Sequence, residues 1–366
     1  MSKKLPFFLL FLCSFSSFSK QVAPLCKEPQ GAGFSKGDGT KLNPYLICNH
    51  EQFALVSEDT TLLSKWFKLG DDLSFAGKKF PQIGSVQMPF QGGFDGDGYT
   101  LSEITLNADI RAPFGKIQNA QLENVIIDDI HTEEAANNKV AGLVGVAENS
   151  TLHHINVHRI NLYSINYSAG VIGESINSSL SYASVDGSLS QDFGTDASAG
   201  LIGMAFQSDV FACTSHVNIT SLYTGQGEIA GVSALIGHAE SSRIRNVYAD
   251  GVIDYSNIPV PNLHGAGGLI GTMSSSLLSN AYYAGKILFN ASSENEIGVV
   301  VGEYVNSYTS DVYWDTEVSG ITESVVGVGK NTATMKKKAF WLNQGFGENI
   351  WRIKNNQYPR LFGVNN

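Results

Sequence analysis

The 366-residue chain contains little cysteine, proline or charge, and each shortage excludes a class of protein. Four cysteines are too few for a disulfide scaffold, and ten prolines beside 38 glycines indicate many turns rather than a disordered linker. Only 16% of the residues are charged and the net charge is −10, so the basic surface that binds nucleic acids or anionic membranes is missing. The 43% of hydrophobic residues is enough to form a sizeable core.

Long hydrophobic runs are also missing, apart from one at the N-terminus. There, two lysines precede the run LPFFLLFLCSF, which is shorter than the ~20 residues that span a bilayer and is followed by small residues. This order predicts a signal peptide over residues 1–19, cleaved after Ser19. Lipidation at Cys13 is the weaker alternative, because a leucine precedes it where a lipoprotein signal needs a small residue. We therefore expect a secreted or cell-surface protein without a transmembrane anchor, and a periplasmic location is the alternative.

Export would place the remaining cysteines in an oxidising compartment. Cys26 and Cys48 flank the first loop and are candidates for a disulfide. The chain is repetitive, and Cys213 stands where neighbouring repeats have the small apolar residues Ala183 and Val247. This favours a buried core position over a nucleophile or a disulfide partner.

The chain is rich in one signature, seen as AGLVG, AGVIG, AGLIG, SALIG and GGLIG. Its last glycine serves as an anchor, and related glycines stand before and after these five copies. The anchors are Gly115, Gly145, Gly173, Gly203, Gly237, Gly271 and Gly302, spaced 30, 28, 30, 34, 34 and 31 residues apart. We interpret them as structural glycines, which allow the backbone to turn a crowded corner.

Mostly apolar residues recur at fixed distances after the anchors. Seven residues after them stand Leu122, Leu152, Leu180, Val210, Ile244, Leu278 and Thr309. Ten residues after them stand Val125, Ile155, Ala183, Cys213, Val247, Ala281 and Val312. Sixteen residues after the middle anchors stand Leu189, Ile219, Ile253 and Ile287. Columns at fixed offsets, with variable loops between them, predict stacked and equivalent structural units.

Each unit has room for three short strands, which is too little for the four-stranded blade of a propeller, whose repeats take about 40–50 residues. We therefore predict an all-β fold, a right-handed parallel β-helix of about seven coils over residues 111–316. Residues 20–110 are predicted to form an N-terminal cap, with a helix capped at Asn49 and the first strands. Residues 317–366 are predicted to form a short C-terminal cap whose aromatic side chains pack rather than bind.

Several of these motifs resemble those of bacterial GLUG-motif proteins. The resemblance rests on GDGTKLNPYLICNHEQFALVSED, FQGGFDGDGYTLSEITL, the Gly-Leu-x-Gly cores, YWDTEVSG and YPRLF, and it covers about residues 31–363. It implies a secreted or surface protein with a β-helix-like repeat, and no defined activity. Similar repeats stand beside immunoglobulin-A-cleaving metallopeptidases, but His50-Glu51 is followed by Gln-Phe-Ala without the second histidine of their zinc motif.

One further column consists almost entirely of ionisable side chains. Thirteen residues after the anchors stand Asp128, His158, Asp186, His216, Asp250, Ala284 and Asp315. On stacked coils, the first five would form an outward ladder that binds a ligand or metal, titrates near neutral pH or supplies paired acids for glycan cleavage. The alternative, which we favour, is that Asp186-Gly187 and Asp250-Gly251 are corner turns in which the aspartate bonds its own backbone.

A calcium loop is suggested by Asp95 and Asp97, but its twelfth position is Leu106 rather than a glutamate, so a turn is favoured and at most a weak calcium site remains. The sequence carries no complete catalytic motif, and we expect no cofactor and no enzymatic activity. Only three arginines lie between Gly115 and Trp341, which disfavours a polysaccharide-degrading enzyme.

Three functions follow from these patterns. The favoured one is a non-enzymatic, adhesin-like interaction module that binds a host or environmental glycan or a surface protein. The alternatives are a polysaccharide lyase or glycoside hydrolase on a β-helix, and a structural accessory protein of the cell envelope. The sequence carries no signal for an oligomeric state.

Overall fold

The computed structural model describes Cys26 and residues 33–34, 36–107, 111–133, 140–164, 167–191, 197–222, 229–257, 263–289 and 297–364. The predicted signal peptide lies outside these residues. Within them, three parallel sheets wrap around one hydrophobic core, so the predicted parallel β-helix is confirmed. The chain visits the three sheets in a fixed order once per coil, and equivalent strands of successive coils pair in register.

The sheet that contains the anchor glycines, here called the anchor sheet, has one strand per coil and seven coils in the described residues. Its strands are Phe114–Gln118, Val144–Glu148, Ile172–Ile176, Ile202–Phe206, Ile236–Glu240, Ile270–Ser274 and Val301–Val305. Each anchor glycine is the second residue of its strand. The residue before it is buried in every coil and pairs with its equivalents above and below, which stacks the first residues of these strands into a continuous apolar column.

The sheet that precedes the anchor sheet in each coil is the short sheet. Its strands are Val140–Ala141, Ser168–Ala169, Ser198–Ala199, Ile229–Ser233, Leu263–Gly267 and Ile297–Gly298. Between the two sheets the chain turns at the first glycine of the signature. A Cβ placed on Gly170 would lie 1.9 Å from the carbonyl oxygen of Gly200 in the next coil, so a side chain at Gly170 would require the local backbone to shift. Ala234 fills the equivalent corner in the SALIG copy.

The long sheet follows the anchor sheet. Its strands are Tyr45–Ile47, Trp66–Leu69, Leu73–Ser74, Gly93–Asp95, Thr100–Leu106, Gln121–Thr132, Thr151–Ser164, Ser179–Gln191, Asp209–Ser221, Arg243–Ala249, Ile253–Tyr255, Leu277–Tyr283, Ile287–Phe289, Tyr308–Asp315 and Val328–Lys330. The columns predicted seven, ten and sixteen residues after the anchors are paired neighbours here, as in Leu152 with Leu180, Cys213 with Val247 and Leu189 with Ile219. Fully burying each such side chain stabilises the fold by about 1.5–3 kcal/mol.

The N-terminal region adds a helix over His50–Glu58 and a 3₁₀ turn over Thr60–Leu62. The side chain of Asn49 accepts a hydrogen bond from the amide of Gln52 at 2.9 Å, which is the predicted cap. Phe53 and Val56 of this helix are buried against the first strands. Cys26 and Cys48 form a disulfide with their Cα atoms 5.6 Å apart, so the candidate pair is present in the structure.

The C-terminal region contains short helices over Thr316–Ser319, Thr332–Met335 and Lys338–Asn343 and an antiparallel pair, Trp351–Arg352 with Arg360–Leu361. Val328–Lys330 extends the long sheet beyond the last coil. Residues 332–364 then run back along the outer face of the long sheet, where Trp341, Trp351 and Leu361 are buried in a second core. This segment, here called the C-terminal strap, therefore covers the side of the solenoid, whereas an end cap was all that the sequence suggested.

Candidate functional site

The structure brings the five predicted ladder residues together in one row on the outer face of the long sheet. His158 pairs in register with Asp128, and Asp186 pairs with His216. The Nδ1 of His158 donates to Oδ2 of Asp186 at 2.6 Å, and His216 Nδ1 donates to Oδ1 of Asp250. The histidines and aspartates are thus neighbours across coils, as the column spacing predicted.

Two arginines that the column did not include complete this row. Arg159 binds Asp128 through two bonds of 2.7 Å, from Nε to Oδ1 and from Nη2 to Oδ2. At the other end, Nη1 of Arg360 lies 3.2 Å from Oδ2 of Asp250. We call this set of seven residues the ionic row: Asp128, His158, Arg159, Asp186, His216, Asp250 and Arg360.

The other two members of the predicted column do not belong to the ionic row. Ala284 is buried beneath the C-terminal strap. Asp315 is fully buried, and its Oδ1 accepts from the amides of Glu317 and Val318 at the start of a short helix. Its Oδ2 accepts from the hydroxyl of Tyr358 at 2.6 Å, so Asp315 fastens the strap.

The bonds of Asp186 differ from the corner turn that we favoured from the sequence. Its Oδ1 accepts from the backbone amide of Arg159 at 3.0 Å, and its Oδ2 accepts from His158, so both partners lie in the preceding coil. The hydrogen bond to Asp186 raises the pKa of His158 above its usual 6.5, and the bond from His158 lowers the pKa of Asp186.

Each aspartate of the ionic row therefore has a cationic or imidazole partner within the row. Such an arrangement neutralises its own charge and ties adjacent coils together, which is a structural use of ionisable groups. A general acid or base must instead reach the atoms of a substrate. The geometry of the ionic row thus favours stabilisation of the coils over catalysis.

The C-terminal strap covers one end of the ionic row with aromatic side chains. Tyr248 and Tyr282, which are stacked with ring centroids 4.9 Å apart, are buried under Trp341 and Trp351. Nε1 of Trp351 donates to Oδ1 of Asn246 at 3.0 Å, and Arg360 donates to the hydroxyl of Tyr248 at 2.9 Å. These C-terminal aromatic residues pack, as expected from the sequence.

The suggested calcium loop forms a turn. Tyr99 donates from its amide to the carbonyl of Gly96 at 2.8 Å, and Gly98 adopts a φ of 83°. Nζ of Lys68 lies 2.9 Å from the carboxylate of Asp97 and 3.9 Å from that of Asp95, so a cation already faces both groups. Among the described residues, no group of three or more His, Cys, Asp or Glu side chains is arranged to hold a metal ion.

Cys213 and His50, which the sequence singled out, both have structural positions. Cys213 is fully buried in the main core, and burial raises the pKa of its thiol to about 12, so the predicted core position is confirmed. His50 starts the N-terminal helix and its Nε2 contacts the carbonyl of Ser74.

A second surface feature, which the sequence reasoning missed, lies at the corner between the anchor sheet and the long sheet. A groove of about 710 Å³ runs along the solenoid axis there and crosses six coils. One rim consists of exposed residues four positions after the anchors, all with φ from 46° to 51°: Asn149, Asn177, Gln207, Ser241, Ser275 and Asn306. We call this the amide groove.

The floor of the amide groove is a column of serines five positions after the anchors: Ser150, Ser178, Ser208, Ser242, Ser276 and Ser307. Each serine hydroxyl accepts from the backbone amide of the preceding coil, as Ser178 Oγ does from Ser150 at 2.9 Å. The second rim is the start of each long-sheet strand and includes Asp209, Arg243 and Tyr308. The signal was present in the sequence as two further columns, but Asn and Ser in such columns are also ordinary turn residues.

No protein-family model matches the chain. A protein of Evansella cellulosilytica named "Putative Gly-rich membrane protein" is 30% identical over 124 residues, which are 32% of this chain and 14% of that protein. "Halomucin" of Haloquadratum walsbyi is 29% identical over 87 residues, 20% of this chain and 1% of that protein. The chain therefore spans a small part of the length of both relatives.

Solved structures with a similar fold include an "IgA1 Protease", with a TM-score of 0.53 and 16% identity over 73% of this chain and 21% of that chain. The crystal structure of a "putative immunoglobulin A1 protease" from Bacteroides ovatus has a TM-score of 0.49 and 17% identity, over 91% of this chain and 96% of that chain. At such identities the first likeness concerns the β-solenoid fold alone. None of the helices in the described residues has the length and apolar composition needed to cross a bilayer.

Proposed function

We propose that the protein is a non-enzymatic, adhesin-like binding module that is secreted or displayed on the cell surface and recognises a glycan. The observation that carries this proposal is the amide groove, which presents a continuous polar surface along six coils. Repeat proteins commonly bind extended partners on such surfaces, because each unit contributes an equivalent set of contacts. The resemblance to GLUG-motif proteins supports the secreted or surface part of this proposal.

The location and the lack of catalysis are parts of the same proposal. The signal-like N-terminus, the disulfide between Cys26 and Cys48 and the similarity to a β-solenoid support export. The ionic row supports the non-enzymatic part of the proposal, because its carboxylates are held in a structural role by His158, His216, Arg159 and Arg360.

Affinity electrophoresis tests this function. Residues 20–366 would be run through native gels that contain alginate, polygalacturonate, galactomannan or hydroxyethyl cellulose, beside a gel without polysaccharide. We expect retardation in at least one gel, with the polysaccharide left intact under the band. A cleared zone around the band would instead support the polysaccharide-degrading enzyme, and unchanged mobility in every gel would contradict glycan binding.

A further inference from the structure

We propose that the amide groove binds a neutral, linear polysaccharide, laid along the solenoid axis with about one sugar per coil. This inference rests on the proposed glycan-binding function and names its ligand class and its site. Three properties of the groove carry it: its charge, the state of its backbone and its repeat.

The groove has too few positive charges along its length to hold a polyanion. Among its lining residues the charged side chains are Asp209 and Arg243, whose carboxylate and guanidinium lie 3.2 Å apart and so neutralise one another. Arg245, which is not a lining residue, shares the same carboxylate at 3.2 Å, so this cluster as a whole holds one net positive charge. Nucleic acids and acidic polysaccharides need several unpaired cations along the strand. A neutral ligand matches this groove better.

The backbone amides of the groove are already hydrogen-bonded and so do not favour a peptide ligand. An extended peptide is normally held by unpaired backbone groups of a sheet edge. Here the amides of Asn149, Asn177 and Gln207 donate to carbonyls of the following coil at 2.9–3.0 Å, and the serine amides donate to serine hydroxyls. Recognition therefore falls to side-chain amides and hydroxyls, which are suited to the hydroxyl groups of sugars.

The exposed amides have the capacity for such bonds. The side chain of Asn177 donates to Oδ1 of Asn149 at 2.6 Å, which uses one of its two donor hydrogens and leaves its carbonyl oxygen as an acceptor. Tyr308, 62% exposed, lies at the end of the groove and offers an aromatic face for a sugar ring.

The repeat of the groove points to a polymer. Parallel strands of successive coils lie about 4.8 Å apart, so the same rim and floor recur at this interval along the axis. This interval is close to the length of one sugar in an extended chain. A linear polysaccharide can therefore present hydroxyl groups to each coil, with the same set recurring at every second sugar of a β-1,4 chain, and its affinity grows with the number of coils that it crosses.

The test compares a groove variant with a matched control in gels of galactomannan, hydroxyethyl cellulose and alginate. The groove variant is Asn149→Gly/Asn177→Gly/Gln207→Gly, which removes three side chains and keeps backbones that already have positive φ. The control is Asn280→Gly/Asn356→Gly, at positive-φ positions outside the groove. We expect the groove variant to bind a neutral polymer at least about tenfold more weakly, since each lost hydrogen bond is worth about 0.5–1.5 kcal/mol.

The control should bind like the wild type, and high salt should leave retardation unchanged, because the ligand is uncharged. Oligosaccharides of one to six sugars, prepared from the polymer that retards the protein, should inhibit more strongly with length up to about six. Retardation only by alginate, or equal retardation of the groove variant, would overturn this inference and leave the proposed function standing. Unchanged mobility of the wild type in every gel would contradict both.

Discussion

The ionic row and the amide groove are both ladders of polar side chains on the same solenoid, yet they make opposite uses of the repeat. In the ionic row, each carboxylate has a partner in a neighbouring coil or in the C-terminal strap, as Asp186 has in His158 and Asp250 in Arg360. In the amide groove, the buried serines bond between coils and Asn177 bonds Asn149, while the rim side chains stay exposed to solvent. The first ladder is closed on itself and the second is accessible.

This difference shows that a column of functional groups is not by itself a site. Charged side chains stacked at the spacing of parallel strands must be neutralised, and neighbouring coils offer the shortest way to do so. Uncharged amides carry no such penalty and can stay exposed at little cost. The accessible, uncharged column is therefore the better candidate for binding, although the titratable column stands out more in the sequence.

The largest effect is expected from removing the cover of the ionic row. Trp351→Ala should lower the free energy of unfolding by about 3–5 kcal/mol, because Trp351 of the strap is fully buried against Tyr248 and donates to Asn246. Chemical denaturation measures the change. Leu342→Ala, at an exposed residue of the same segment, is the control and should cost well under 1 kcal/mol. If Trp351→Ala cost as little as Leu342→Ala, the strap would not contribute to stability.

A smaller loss is expected within the row itself. Asp250→Asn keeps the shape of the side chain but removes the charge that binds His216 and Arg360, and should lower the free energy of unfolding by about 1–2 kcal/mol. Glu323→Gln, at an exposed carboxylate, should leave it unchanged within about 0.5 kcal/mol. If Asp250→Asn were as neutral as Glu323→Gln, the row would not hold the coils together.

The row should also give stability a pH dependence. The raised pKa of His158 contributes stability that is complete below about pH 6.5 and is lost as the pH rises through the folded-state pKa. The lowered pKa of Asp186 contributes stability that is present above about pH 3.8 and is lost as the pH falls through its folded-state pKa. Between these limits the pair stabilises most.

Denaturation of the wild type and of His158→Gln at about pH 6 and about pH 8.5 measures this contribution. The difference between the two proteins should shrink at the higher pH, by at most about 1 kcal/mol because both groups are partly exposed. A difference that grows with pH would contradict the assignment of the His158–Asp186 bond.

The smallest effect on stability is expected in the amide groove. Asn177→Gly removes an exposed side chain at a φ of 48°, which glycine adopts without strain, and should change the free energy of unfolding by less than about 0.5–1 kcal/mol. The same denaturation experiment checks it. A loss as large as that of Asp250→Asn would mean that the groove, like the ionic row, is a structural ladder.

The repeat itself could be predicted from the sequence, because in-register stacking places residues at equal offsets into the same column. This is why the burial of Cys213 and the proximity of His158 to Asp186 followed from spacing alone. The hydrogen bonds of Asp186 to the preceding coil did not follow, because Asp-Gly suits a corner turn equally well. The strap was also out of reach, since Trp351 and Asn246 are separated by 105 residues and no periodicity relates them.

The most direct test of the account is one native gel containing a neutral polysaccharide that retards the wild type. The wild type, Asp250→Asn and Asn149→Gly/Asn177→Gly/Gln207→Gly would run side by side. The account predicts that the Asp250 variant is retarded like the wild type, while the groove variant migrates almost freely. Loss of retardation in the Asp250 variant, with retention in the groove variant, would contradict it and move the binding site to the ionic row.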